Sequence, residues 1–344
     1  MPDPGNPGAT SQTLADVSEE ALLARIFPLV ATPDTGVTLL GPGDDAAVMS
    51  AESGSVVATT DTMVRDRDWR DAWSTGADVG HKVVAQNLAD VAAMGAVPTG
   101  LLLTLVADPA TSVAWVLDLA RGVGEAARAA GVAVLGGDLS SAPGGTLMVS
   151  VTALGDLQGR GAVRRSGAQP GDTVAVAGTL GLAAAGWRLL DRGALPAGAG
   201  AGPPTASDVA GRAVARQRRP HPPVAAGPQA AGAGATSMLD LSDGLLRDAG
   251  RVARASGVVI ALDGGALAGD IELLTPVVGA DLARECVLAG GEEHSLLGTF
   301  PQGARLPPGW RVLGRVEASN PSRGPGVTVD GEVESPRGWD HFAG

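Results

Sequence analysis

The sequence predicts a two-domain α/β protein of the α+β type, with an N-terminal mixed-sheet domain followed by a second α/β domain. Three observations predict it. The chain has 344 residues, against roughly 100–200 for one domain. Apolar residues make up 44% and charged residues 18%, enough for packed cores. β-branched runs and helix-period segments are mixed without strict alternation, and no G-x-G-x-x-G sits between a strand and a helix.

Taken in order, residues 1–13 are rich in Pro and Gly and read as a disordered tail. Leu14 to Val30 reads as an amphipathic helix with Ser18 and two glutamates near its start. A Gly/Asp turn, Gly41 to Asp45, precedes a strand over Ser55 to Asp61. From Gly76 to Ala96 the residues Val79, Val83, Val84, Leu88, Val91 and Met94 recur at helical spacing, among alanines that permit close packing. Leu101 to Val106 is a strand, Ser112 to Ala130 a helix stopped by Gly131, and Val132 to Leu135 a strand ending in Gly-Gly-Asp138. Thr146 to Leu154 closes a first domain over 14–160. In the second, 161–344, Thr173 to Ala177 is a strand, Leu182 to Leu190 a helix, and 193–208 a flexible Ala/Gly/Pro loop. Met238 to Gly244 opens a helix reaching about Ala255, and Val258 to Leu262 is a strand.

Composition excludes several functions. With 25 basic and 37 acidic residues the formal charge is −12, which makes the chain a poor candidate for gripping nucleic acid or an anionic membrane through a general basic face. A single cysteine, Cys286, rules out an internal disulfide and Cys-based zinc sites and suits a reducing cytoplasm. Lys82 is the sole lysine; it follows His81, not Gly, and lies in a helical pattern, which removes both the P-loop and the protein-kinase signature. No apolar run approaches the ~20 residues of a membrane span, and the first residues carry no signal-peptide core.

What stands out is a set of aspartates beside apolar runs and glycine turns: Asp44, Asp45, Asp61, Asp138, Asp240 and Asp243, with Asp90 on the 76–96 helix. Asp is a common turn former and helix cap, and Asp243 could simply cap the helix after it. Their number, with Thr59, Thr60 and Ser242 adjacent, instead gives a hard-oxygen ligand set suited to Mg²⁺ and not to zinc. Several such ions imply a polyphosphate ligand, neutralised by metal, glycine-turn N–H groups and a few Arg in place of a lysine. Gly136-Gly137-Asp138, Gly290-Gly291-Glu292, Arg164-Arg165 and Arg218-Arg219 are the candidate contacts.

Eight segments carry a family resemblance: Gly43-Asp-Asp-Ala-Ala-Val48, Thr59-Thr-Asp-Thr62, Ala85-Gln-Asn-Leu-Ala-Asp-Val-Ala-Ala-Met-Gly-Ala96, Leu135-Gly-Gly-Asp138, Arg165-Ser-Gly-Ala-Gln-Pro-Gly-Asp172, Leu239-Asp-Leu-Ser-Asp-Gly-Leu245, Gly290-Gly-Glu292 and Gly338-Trp-Asp-His-Phe342. In that order the chain resembles thiamine-monophosphate kinases, of the aminoimidazole ribonucleotide synthetase-like superfamily. The resemblance implies ATP-dependent, Mg²⁺-assisted phosphorylation of thiamine monophosphate in a cleft between the two domains, in a cytoplasmic homodimer joined through its N-terminal domains. It implies metal ligation by Asp45, Thr59, Thr60, Asp61, Asp90, Asp138, Asp240 and Asp243. Gly137, Asp138, Arg165 and Ser242 would touch ATP, and Glu292 and Trp339 the thiamine phosphate. The alternatives are a ribonucleotide cyclo-ligase-like activity or a non-catalytic nucleotide- or thiamine-binding relative.

The chain departs from the family pattern at two places. Val64-Arg-Asp-Arg-Asp-Trp69 puts Asp68 where the family has histidine, and Gly-Gly-Glu-Asp becomes Gly-Gly-Glu292-Glu293, followed by His294. Tyrosine is absent, so Trp69 and Trp339 are the aromatics that could stack on a thiazolium, with Asp68 pairing its charge. The other reading makes Asp68 and Trp69 part of a tolerant lid loop.

Overall fold

The computed structural model describes residues 12–33, 36–41, 46–193, 208–320 and 324–339. Asp44, Asp45, most of the Pro/Gly-rich tail, the 193–208 loop and the closing Asp-His-Phe lie largely or wholly outside the described residues.

In the N-terminal half Ser18 caps α1 (Glu19–Val30): its Oγ accepts from Ala21 N at 3.2 Å, and Glu19 and Glu20 face the positive end of the helix. A short antiparallel pair, β1 (Thr38–Leu40) and β2 (Val48–Met49), leads to β3 (Val56–Val64). There follow α2 (Gly76–Ala93), β4 (Val97–Ala107), α3 (Val113–Ala130), β5 (Ala133–Ser141) and β6 (Leu147–Asp156). The four long strands form a mixed sheet in the order β3-β6-β4-β5, with β4 and β5 parallel. Alternate side chains (Met63, Leu101, Leu105, Val149, Val151) turn inward onto α2 and α3. Ala, Val and Gly on α2 let it lie backbone to backbone on α3: a Cβ on Gly80 would sit 2.4 Å from Leu119 O, and one on Gly122 2.2 Å from Ala77 O. On the outer face of the sheet Val56, Val64 and Leu102 are exposed.

The C-terminal half contains β7 (Thr173–Ala177), α4 (Leu182–Asp191), α5 (Val209–Arg218), α6 (Ala226–Gly232), β8 (Ser237–Leu241), α7 (Leu245–Ser256) and β9 (Val258–Leu262). It continues with α8 (Gly264–Val278), α9 (Ala280–Ala289), β10 (Ser295–Phe300), β11 (Trp310–Ala318), β12 (Gly326–Val329) and β13 (Glu332–Glu334). Its seven-stranded mixed sheet runs β13-β12-β9-β11-β7-β10-β8. One face buries Val174, Val176, Leu239, Leu241 and Ile260 under the helices. The other meets the C-terminal end of α2, where Ala92 and Ala93 pack with Ala226, Ala230, Met238, Phe300 and Trp310. Helix α2 is therefore the wall shared by both halves, reinforced by an ion pair of 2.5 Å between Arg219 and Asp78. Among the described residues no helix is long and apolar enough to cross a membrane.

Three sequence expectations need correction. Residues 238–241 form strand β8, buried at every position, and not the start of a helix. β3 and β5 do not end at their aspartates: Asp61 and Asp138 are mid-strand, because Thr62 to Val64 and Leu139 to Ser141 remain paired to their neighbours.

Candidate active site

The site is built on α2, β3 and β8. Period-two alternation places Thr59 and Asp61 on the inner face of β3, toward α2. Thr59 Oγ1 donates to Asp90 Oδ2 at 2.8 Å, and Asp61 N donates to Asn87 Oδ1 at 3.1 Å. From the other half, edge strand β8 carries Asp240, whose Oδ2 lies 3.2 Å from His294 Nδ1. Burial first, then the negative charges of Asp240 and Asp61, push the Asp90 carboxyl up to about 7. The structure thus brings Thr59, Asp61, Asp90 and Asp240 to one place from both halves.

Two turns rim this cluster. Glu292 N donates to Ser242 O at 2.7 Å, and His294 N to Leu241 O at 2.9 Å. These bonds extend the β8–β10 pairing past the strand ends. A side chain at 291 is impossible there, since a Cβ on Gly291 would lie 2.5 Å from Ser242 O. Glu292 and His294 adopt φ of +67° and +52°, a region that non-glycine residues rarely occupy. Lys82, 3% exposed, reaches across from α2: its Nζ is 2.6 Å from Glu292 Oε2 and donates to Asp68 O at 3.3 Å. Trp339 lies on the same rim, held by its backbone N–H donating to Asp243 O at 3.0 Å. Glu293 serves the scaffold: fully buried, it accepts from Ala183 N at 2.9 Å in the first turn of α4 and from the Thr179 hydroxyl.

Other expected site residues fall elsewhere. Thr60 is on the opposite face of β3 from Asp61 and donates to Val151 O at 3.0 Å, so its hydroxyl cannot share an ion with Asp61 in one chain. Gly137 and Asp138 belong to edge strand β5. The register Asp61–Val151–Leu103–Gly137 puts three strand spacings, about 14 Å, between them and Asp61. Asp138 is the register partner of Thr104 on the outer face and accepts from Ser140 Oγ at 2.8 Å. Arg165 is anchored at the far end of β8 from Ser242, five residues or about 16 Å away, its carbonyl accepting from Ser237 and Ser256 hydroxyls. The Asp243 carboxylate pairs with Arg251 at 2.5 Å and stands 3.9 Å from Arg247, apart from the Asp90 cluster. Asp68 Oδ2 accepts from Val64 N at 2.7 Å and closes its own turn. Trp69 is buried, its ring stacked 6.1 Å from Trp115, which removes it as a thiazolium platform. Asp45 lies outside the described residues.

Sequence reasoning missed Lys82 and Asp248. Lys82, Gln86 and Asp90 recur every four residues on α2, a signal that marks one helix face. Asp248 is fully buried; its Oδ2 accepts from Asp243 N at 2.9 Å and Oδ1 pairs with Arg251 at 2.5 Å, fixing the Ser242–Asp243 turn. Burial is the main cause that pushes its carboxyl up to about 7. Among the described residues no three His, Cys, Asp or Glu side chains converge as ligands of one metal ion. Magnesium nevertheless suits the donors: it is commonly held by one or two carboxylates plus substrate phosphates, and a cation would relieve the like charges that raise Asp90.

Residues 43–157 match the family AIR synthase related protein, N-terminal domain. Over 339 residues the chain is 42% identical to thiamine-monophosphate kinase of Mycobacterium tuberculosis, covering 97% of this chain and 92% of that protein. The crystal structure of thiamine-monophosphate kinase from Stenotrophomonas maltophilia superposes with a TM-score of 0.77 at 34% identity, covering 92% and 98% of the two chains. AaThiL complexed with AMPPCP and TMP superposes with a TM-score of 0.73 at 28% identity, covering 97% and 100%. With fold, motif order and identity in agreement along nearly its whole length, the chain belongs to the thiamine-monophosphate kinase family.

Proposed function

We propose that this protein transfers the γ-phosphoryl group of ATP to thiamine monophosphate, giving thiamine diphosphate and ADP. The observation that carries the reading is the meeting of Thr59, Asp61 and Asp90 from one half with Asp240 from the other, beside the Ser242, Glu292 and Trp339 rim. The acceptor is a phosphate monoester with a second pKa near 6, so it is largely dianionic at pH 7 and needs no strong general base. Its oxygen attacks the γ-phosphorus in line, the bond to the β–γ bridging oxygen breaks, and ADP leaves. Transfer is direct, without a phospho-enzyme.

Repulsion between the two anions is the obstacle. Bound Mg²⁺ would supply charge neutralisation for both phosphates; Asp61, Asp90 and Asp240 are the residues we assign to hold the ions, one or two carboxylates to each ion, with Thr59 fixing the Asp90 carboxylate. Glu292 and Trp339 are assigned to the thiamine moiety, cation to carboxylate and indole face. Ser242 and the Arg247–Arg251 pair around Asp243 are assigned to ATP.

Gly137 and Asp138 line a separate cavity of about 980 Å³ with Phe27, Leu102 and Leu135, at the upper end of the size range of small-molecule sites. Since they stand three strands from Asp61, we infer a homodimer through the four-stranded sheet, whose outer face exposes Val56, Val64 and Leu102, in which these residues serve the nucleotide bound by the second copy. The reaction belongs in the cytoplasm, in keeping with the buried free thiol of Cys286.

The test is direct: incubate the purified protein with ATP, MgCl₂ and thiamine monophosphate and assay for the diphosphate. Product requiring all three supports the reading, and consumption of ATP only with ribosyl substrates overturns it. For the dimer, mixing inactive Asp138→Ala and Asp240→Ala proteins should restore activity through hybrid dimers. No recovery, with hybrids verified by mass, would refute the shared site.

A further inference from the structure

The two halves are joined in opposite ways at the two ends of α2. At its C-terminal end the contact is dry. Ala92 and Ala93 pack with Ala230, Phe300 and Trp310, and α6 lies so close that a Cβ on Gly227 would overlap the Ala92 carbonyl. The chain crosses between the halves at the same point: Val163 N donates to Met94 O at 3.1 Å, and Arg160 Nη2 to Gly95 O at 3.4 Å. At the N-terminal end the contact is polar and reaches solvent. Arg219 pairs with Asp78, and Arg70 pairs with Asp191 of α4 at 3.2 Å between half-exposed side chains. Exposed pairs of this kind hold little. One segment, residues 65–74, spans this end. Buried Trp69, stacked on Trp115, fastens it to the N-terminal half, while Trp73 meets Trp187 of α4 edge-on with 6.4 Å between ring centres. Beside Trp69 the Asp68 carbonyl accepts from Lys82 Nζ, whose other partner is Glu292 of the C-terminal half.

We infer that residues 65–74 are a strap whose seating on α4 closes the thiamine side of the rim, the two halves swinging about the dry end of α2. The substrate named for that rim rests on the kinase reading given above. Helix geometry sets the leverage. At about 1.5 Å per residue, Asp78 stands about 21 Å, Lys82 about 15 Å and Asp90 about 3 Å from Ala92 along the axis. A hinge swing of about 10° at Ala92 then displaces the facing half by about 3.7 Å at Asp78, about 2.6 Å at Lys82 and about 0.5 Å at Asp90. The first two displacements break the pairs Asp78–Arg219 and Lys82–Glu292, since hydrogen-bonded contact is lost beyond about 3.5 Å. The third leaves Asp90 facing Asp240. Ser242, Arg247 and Arg251, assigned to ATP, all belong to the C-terminal half and keep their mutual geometry. Trp73 and Trp187 are therefore positioning residues for the thiamine end of the site.

Trp187→Ala removes the seat of the strap. Because Trp187 is exposed, the variant should melt within a few degrees of the parent. Its KM for thiamine monophosphate should rise about 3- to 10-fold, the scale of one aromatic pair, with that for ATP within twofold, and Trp187→Phe should recover part. Trp73→Ala should act alike, and the double variant should lose no more than either single one, because the two rings work only together. Equal rises for both substrates, multiplied effects in the double variant, or a parental KM in Trp187→Ala would overturn the inference.

The independent readout is the distance across the seam, measured without turnover. The single native cysteine is buried, so spin labels can be directed to exposed positions: Ala72→Cys in the strap with Arg192→Cys at the end of α4, and, as a control near the dry end, Gln158→Cys with Ala225→Cys. The strap pair should show two separations in the ligand-free protein and only the shorter one with Mg²⁺, a non-hydrolysable ATP analogue and thiamine monophosphate, while the control pair stays constant. Trp187→Ala should enlarge the longer population. One unchanging separation at the strap, or equal changes at both pairs, overturns the swing. A parent protein that forms no thiamine diphosphate, yet whose strap pair closes on the ATP analogue with Mg²⁺, overturns the kinase reading and leaves the strap standing.

Discussion

Replacing Asp90 with Asn should stabilise the metal-free protein while disabling it. The Asp90 carboxyl is driven from an ordinary 3.8 to about 7 by burial and by Asp240 and Asp61. At ~1.36 kcal/mol per pH unit, about three units correspond to about 4 kcal/mol lost from the folded state at pH 8. The sign follows from proton binding. Between about 4 and 7 the folded chain holds a proton that the unfolded chain has released, so stability falls as pH rises through that window and levels off above it. Asn keeps an acceptor for the Thr59 hydroxyl and carries no charge, so its advantage should be absent at pH 4, grow to pH 7 and be complete at pH 8. With an unfolding entropy of ~2 cal/mol/K per residue, 4 kcal/mol amounts to about 5 °C in a chain of this length. Thermal melts in EDTA from pH 4 to 8 measure it directly. Adding MgCl₂ and ATP at pH 8 should then raise the parent's melting temperature more than the variant's, because a cation relieves what Asn has already removed. The same melting difference at pH 5 and pH 8, or no gain at pH 8, would refute the account of the cluster.

Lys82→Met should raise the KM for thiamine monophosphate about tenfold and leave that for ATP within twofold, since the ammonium holds the Glu292 carboxylate at 2.6 Å; Lys82→Arg should recover part of it, and equal effects on both substrates would count against a local role. Asp248→Ala removes the acceptor for Asp243 N and one of the two carboxylate partners of the partly exposed Arg251, and should cost about 1–3 kcal/mol; urea unfolding should show it. Gly80→Ala drives a methyl to 2.4 Å from Leu119 O between α2 and α3, and should cost about 1–3 kcal/mol by the same measurement. Trp339→Ala should weaken thiamine monophosphate binding in calorimetry without lowering stability, as the residue is 46% exposed.

Much of this was legible along the chain, and the exceptions are instructive. The helical period over 76–96 and the Gly131 stop gave α2 and α3 within a few residues, because both signals are local. From the sequence the segment 238–241 reads as the start of a helix, since a short apolar run cannot be assigned by period alone; β10 pairing along its whole length makes it a strand. Strand alternation in β3 already separates Thr60 from Thr59 and Asp61, so that correction was available from the sequence. Asp138 was different, as its distance from Asp61 depends on two intervening strands whose order no local pattern encodes.

Residue type and local spacing, then, determined the kind of chemistry: hard oxygen donors, glycine turns, one lysine, no usable thiol. Only the tertiary structure decided which of those oxygens meet. Helix α2 packs between two sheets and brings Asp90 and Lys82 against Asp240 and Glu292, more than 140 residues away along the chain. The physical reason is that side-chain identity is a local property, whereas burial and the charge repulsion or pairing it amplifies arise only when distant segments exclude water together.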